Sequence, residues 1–188
     1  MISLSVVNSF LNAASRNGAH VIQTRGYEEA ARVTARIASE NNVSSIALAR
    51  MRDPLLRALR NELASMRAVF NLDDYRLEEA AKIAENVDMG VTVVDAGLVE
   101  VGVVVILDSY SARLASTLPR RFVALLPASQ IIPTYDQLAE FLARRYGEAG
   151  AAILIAGPSG TSDIELTFVK GVHGPGEAYF IVVEEERE

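Results

Sequence analysis

Apolar positions recur at helical spacing through Leu4, Val7, Phe10, Leu11 and Ala14, and the run ends at Asn17-Gly18. This predicts a first helix over about 3–17. His20–Thr24 is a short strand candidate. Tyr27 to Asn41 carries Ala30, Ala31, Val33, Thr34, Ile37 and Ala38, a helical stripe. Ser44–Ala49 predicts a strand. Asp53-Pro54 opens a helix in the favoured order, acid cap and then proline in the first turn, and Leu55, Leu56, Leu59 and Leu63 follow. Ala68–Asn71 predicts a strand and Tyr75–Glu85 an amphipathic helix. Strand and helix alternate, which argues for a parallel sheet covered on both faces.

The middle of the chain breaks the alternation. Val91–Val99 and Val103–Leu107 are valine-rich and meet around Glu100-Val101-Gly102. Strand following strand predicts a hairpin or sheet extension. Phe122–Leu126 and Ile131-Ile132 are further strands. Thr134–Tyr146, with Leu138, Phe141 and Leu142, predicts a helix stopped by Gly147. Ala151–Ala156 is short, apolar and uncharged, and reads as a buried strand; Ala178–Glu184 closes the fold. The expectation is one α/β domain over residues 1–188, a three-layer sandwich around a mainly parallel mixed sheet.

Composition narrows the classes. The 188 residues suit one domain with a sizeable core. No apolar run approaches the ~20 residues that span a bilayer, and Met-Ile-Ser-Leu-Ser has no basic leader, so no membrane association and a cytoplasmic location are expected. There is no cysteine, which excludes cysteine-ligated iron–sulfur clusters in these residues. Two histidines far apart give no zinc spacing, so no metal is expected. Net charge is −6, unevenly spread: residues 1–70 hold nine arginines against five acids. Arg50, Arg52, Arg57, Arg60 and Arg67 form a basic stretch without interleaved aromatics, which reads as a solvated helix face and not as a nucleic-acid surface.

Candidate chemistry concentrates near the end of the chain. After Ala156 comes Gly157-Pro158-Ser159-Gly160-Thr161-Ser162-Asp163-Ile164-Glu165, and later Gly171-Val172-His173-Gly174-Pro175-Gly176-Glu177. Thr161, Ser162 or Asp163 can cap a helix through Thr167 or Lys170. Strand, small-residue loop and helix start would turn backbone N–H groups toward an anion, with Ser159 and Thr161 adding hydroxyls. The loop lacks both the lysine of a phosphate-binding P-loop and the dinucleotide fingerprint. Asp163 and Glu165, two apart, face different sides of a helix; Asp163 serves as a cap or a site group, Glu165 as a ligand contact or an ion-pair partner of Arg113. His173 lies among glycines and titrates near neutrality, which suits proton transfer as well as tying down a turn.

This segment closely resembles the C-terminal signature of the LUD domain, the lactate-utilization protein C family. Gly90-Val91-Thr92, Asp95 and Glu100-x-Gly102 match a second family segment, and Arg113 a family arginine more loosely. The resemblance implies a CoA-transferase-like fold, shared with formyltetrahydrofolate cyclo-ligases and phosphosugar isomerases. It implies His173, Glu165 and Asp163 as candidate catalytic residues. Gly157, Ser159, Gly160, Thr161, Glu100, Gly102, Arg113 and Gly174 are the candidate ligand contacts. It also implies work beside iron–sulfur oxidoreductase subunits in lactate or hydroxy-acid oxidation, with a small phosphate- or carboxylate-bearing ligand. The alternative is a stand-alone enzyme of the cyclo-ligase, isomerase or CoA-transferase kind. No cofactor is identified, and homo-oligomerisation is left open. Val101, Val103 and Phe122 stand where the family carries polar groups, so either part of its activity is lost or the ligand differs.

Overall fold

A computed structural model describes residues 4–107, 109–145, 151–162, 168–171 and 173–184. The first half alternates: α1 (Leu4–Arg16), β1 (His20–Arg25), α2 (Gly26–Glu40), β2 (Ser45–Ala49), α3 (Asp53–Glu62), β3 (Ala68–Asn71), α4 (Leu77–Asn86) and β4 (Met89–Val93). Then come β5 (Ala96–Leu98), β6 (Val103–Leu107), α5 (Tyr110–Thr117), β7 (Arg121–Pro127), β8 (Ile131–Ile132) and α6 (Tyr135–Arg145). The described chain ends with β9 (Ala152–Ile155), β10 (Gly160–Ser162), β11 (Phe168–Lys170) and β12 (Glu177–Glu184).

Six strands form an all-parallel sheet in the order β1-β12-β7-β4-β2-β3. The last strand, β12, therefore sits inside the sheet, where both edges of Ala178–Val183 are paired and both faces buried. Period-two alternation sorts the side chains. Ile46, Leu48, Val123, Leu125, Ile181 and Val183 face α2 and α3. Ala47, Ala49, Phe122, Ala124, Phe180 and Val182 face the opposite layer with α1, α4 and α5. The antiparallel part foreseen in the sequence lies in a separate four-stranded sheet, β8-β5-β6-β9, where β5-β6 and β6-β9 are antiparallel and β5-β8 parallel, and Leu138 of α6 packs against it. The three-layer α/β expectation holds. Among the described residues no helix is long and apolar enough to cross a membrane.

Two local expectations are corrected, and one helix is found that the sequence reading does not include. Val91–Val99 is not one strand: it divides into β4 and β5, in different sheets, and Val94-Asp95 crosses between them. Helix α5 carries no large-residue stripe, so periodicity does not reveal it. Its buried face is Ser111, Ala112, Ala115 and Ser116, small because the helix lies directly on β4. A Cβ on Gly90 would meet the Ala115 carbonyl oxygen at 1.8 Å. Ala151–Ala156 is not a buried strand: β9 pairs on one side only, with β6, and Leu154 is 45% exposed.

The amino ends of β2 and β4 are stapled by one carboxylate. Asp88 Oδ2 accepts from the amides and hydroxyls of both Ser44 and Ser45, at 2.8–3.0 Å. Burial alone would raise the Asp88 carboxyl, but the Ser44 and Ser45 hydrogen bonds outweigh it, and its pKa lies below the ordinary value. A lowered folded pKa contributes stability above the unfolded value and loses it as pH falls through the folded one. Asp88→Asn is therefore expected to lower stability at neutral pH by about 1 kcal/mol. The difference between variant and parent should shrink below about pH 4, as measured by thermal unfolding across pH. A difference that stays constant with pH would remove the charge from the account.

Candidate functional site

The chain presents candidate chemistry at opposite ends of the parallel sheet. The described part of the signature segment lies at the amino ends. Pro175 and Gly176 directly precede β12, and the Gly176 amide donates to the Arg120 carbonyl before β7, at 2.9 Å. The Ser159 amide donates to Pro175 O at 2.7 Å, and the Gly171 amide to Ser159 O at 2.9 Å. No helix starts at Thr161: Gly160–Ser162 pairs antiparallel with Phe168–Lys170. The hairpin ladder and the Pro175 carbonyl occupy donors that a helix start at Thr161 or Ser162 would have left open, so no helix-dipole cradle begins at these two residues. Asp163 and Glu165 lie outside the described residues. His173 is exposed and has no hydrogen-bond partner among the described residues. Gly174 packs against Ser159, where an added Cβ would lie 3.2 Å from the serine Cβ.

The other expected contacts divide. Asn17, which the sequence does not single out, joins two of them. Its side-chain amide donates to the carbonyls of Val101 (2.7 Å) and Gly102 (3.2 Å), and its own carbonyl would meet a Cβ on Gly157 at 2.6 Å. Gly102 has φ +66° and presses on Ala13. Both glycines are thus required by backbone packing. Glu100 turns away and accepts from the Tyr135 amide at 2.7 Å, capping α6. Arg113 is exposed on α5. Phe122 is a fully buried core residue.

A cavity of about 230 Å³ opens at the carboxyl ends of β2, β4, β7 and β12, where parallel α/β sheets hold ligands. Buried Leu55, Val94, Leu125 and Val183 line its depth. Exposed Arg52, Gln130 and Arg145 line its mouth, with half-buried Tyr27 and Arg50 between. Arg145 also lies 5.7 Å from the Phe141 ring centroid. Arg52 has no ion-pair partner among the described residues.

Arg50 is the fixed point of this wall. Its backbone is left-handed, φ 56°, which costs a non-glycine residue ~1–2 kcal/mol. Three contacts hold it there. Its amide donates to Asp73 Oδ2 at 2.7 Å. Its guanidinium grips Asp95 through both terminal nitrogens, Nη1 to Oδ2 and Nη2 to Oδ1, the latter at 2.6 Å. Thr92 donates to the preceding carbonyl, Ala49 O, at 3.0 Å. Asp95 is itself held by the Leu107 amide, 2.8 Å away. The hydrogen bond to Asp95 raises the Arg50 pKa against the opposing effect of burial, so the guanidinium is permanently charged. With Asp95 engaged, the lining offers cations and hydrogen-bond donors but no free carboxylate base; it is equipped to bind an anion. Thr92 and Asp95, matched in the sequence only as part of a family segment, thereby receive physical roles around Arg50, and Gly90 of the same segment admits α5. The sequence shows Arg50 and Arg52 merely as part of a basic stretch; their place after a strand and before an Asp-Pro helix start is the signal that separates them from it.

Comparison with known proteins gives one family. The LUD domain profile matches residues 7–183. Lactate utilization protein C of Shouchella clausii (strain KSM-K16) is 38% identical over 120 residues, 62% of this chain and 51% of that protein. Its counterpart in Bacillus subtilis (strain 168) is 35% identical over 121 residues, 61% of this chain and 50% of that protein. The chain therefore spans about half the length of these curated relatives. The crystal structure of a DUF162 family protein from Deinococcus radiodurans matches with a TM-score of 0.69 at 19% identity, covering 97% of this chain and 99% of that one; at that identity the likeness concerns the fold.

The Arg50–Asp95 pair yields a direct test. Asp95→Asn is expected to lower the free energy of unfolding by about 1–3 kcal/mol, because it leaves a half-buried guanidinium short of its acceptor. The double variant with Arg50→Gln should lose less than the sum of the two single variants. Denaturant unfolding of all four proteins measures this, and strict additivity would show that the pair contributes no coupling.

Proposed function

The chain belongs to the LUD domain family, and from that membership we propose that it is the ligand-binding component of a lactate or hydroxy-acid oxidation system. Its relatives carry the name lactate utilization protein C. The observation that carries the reading is the cavity at the strand carboxyl ends, where Arg52 stands beside the fixed Arg50. A guanidinium offers paired donors that match a carboxylate, and Tyr27 and Gln130 supply polar atoms for a neighbouring hydroxyl or keto group. These residues include no cysteine, so in this reading electrons pass through the iron–sulfur clusters of a partner subunit.

The test is binding. L-lactate or pyruvate at ~100 times its dissociation constant should stabilise the fold by ~2.7 kcal/mol, a melting shift of roughly 5–10 °C for a chain of this size. Arg52→Gln should reduce that shift. An equal shift in the variant places the ligand elsewhere. Co-purification with an iron–sulfur protein tests the partner.

A second reading is favoured by the exposure of His173. It makes the chain a stand-alone enzyme on a phosphorylated or carboxylate substrate, with His173 moving the proton and with Asp163 and Glu165, which the family resemblance implies, as further candidates. His173→Gln should then cut turnover by ~10²–10⁴-fold with ligand affinity nearly kept. Full turnover in the variant would exclude it.

A further inference from the structure

We infer that the carboxyl-end cavity selects polyhydroxylated carboxylates, acids that carry hydroxyl groups along the carbon chain beyond the single one of lactate, and this rests on its being the ligand site proposed above. The aliphatic residues at its base, Leu55, Val94, Leu125 and Val183, are each at most 2% exposed. They close the cavity without presenting surface to a ligand. The surface left for a ligand is mostly polar, and Tyr27, Arg50, Arg52, Gln130 and Arg145 line it.

These side chains hold hydrogen-bonding capacity that the protein itself leaves unused. The Tyr27 hydroxyl and the Gln130 side-chain amide have no partner among the described residues. Arg52 has no ion-pair partner among them. Arg50 gives Asp95 one N–H from each terminal nitrogen; a guanidinium has five N–H donors, so three remain. In the free protein water answers these groups. A ligand that displaces such water keeps its affinity only where its own atoms reproduce the hydrogen bonds. A hydroxyl both donates and accepts, and so can meet a phenol, an amide or a guanidinium N–H; a methylene can meet none of them. Lactate answers only part of the set: its carboxylate suits the Arg52 fork, and its one hydroxyl takes one of the rest. The space of about 230 Å³ equals roughly seven or eight waters at ~30 Å³ each, of which lactate displaces about four. An acid of about four to six carbons with a hydroxyl on each carbon of its chain fills the remainder with groups that hydrogen-bond.

The experiment is titration calorimetry of the 188-residue chain with pairs of acids of equal length: glycerate against lactate, erythronate against 2-hydroxybutyrate, and gluconate against 2-hydroxyhexanoate. The hydroxylated member should bind more tightly in each pair, by about threefold per added hydroxyl, so the advantage grows with length. Arg52→Gln should weaken every acid by a similar factor, because all share the carboxylate. Tyr27→Phe combined with Gln130→Ala should shrink the advantage of gluconate over 2-hydroxyhexanoate, a ratio that a general loss of stability would not move. Equal affinities within the pairs, tighter binding of the deoxygenated acids, or a ratio unmoved by the Tyr27 and Gln130 changes would overturn the inference while leaving the cavity as the ligand site. Failure of every acid to bind, or affinities unchanged by Arg52→Gln, would remove both.

Discussion

A parallel sheet buried on both faces has only its two ends left for chemistry. That constraint governs this molecule. Six parallel strands give one face to α2 and α3 and the other to α1, α4 and α5, and the middle of β12 is buried at every position from Ala178 to Val183. A polar group inside those layers needs a partner there, as Thr34 has in the Ala30 carbonyl. The charged groups gather at the strand ends: Asp88 with Ser44 and Ser45 at the amino ends, Arg50 with Asp95 at the carboxyl ends.

The layered architecture is legible in the sequence because it follows from periodicity. Helices α2 and α3 and strands β2 and β7 announce themselves by apolar spacing alone. What escapes is whatever depends on distant packing. Helix α5 is hidden because contact with Gly90 requires small residues on its inner face. Strand β9 is uncharged yet half exposed because pairing with β6 leaves its other edge open. The Gly157–Ser162 stretch has the composition of a helix entry, but pairing with Phe168–Lys170 makes it a hairpin. Composition records which backbone shapes are permitted; tertiary pairing chooses among them.

Family membership and geometry illuminate different parts of the site. The family segment around Gly90, Thr92 and Asp95 acquires a cause, since each residue helps to seat Arg50 or the helix beside it. The signature turn acquires a partial one, in that Ser159, Gly171, Pro175 and Gly176 close on one another and on Arg120 at the sheet's amino end. The two clusters lie at opposite ends of the parallel sheet, one built around the fixed Arg50 and one presenting the exposed His173.

Arg50 also bears on how this protein tolerates change. A left-handed residue at the end of a strand is the usual target when a fold is engineered for robustness, and glycine is the usual replacement. Here glycine would relax the main chain, which Asp73 and Thr92 hold through the Arg50 amide and the Ala49 carbonyl, and at the same time delete the guanidinium that Asp95 grips. Relief of backbone strain and retention of the ion pair therefore pull position 50 in opposite directions. Arginine keeps the link between the end of β2 and Asp95 at the cost of a strained main chain.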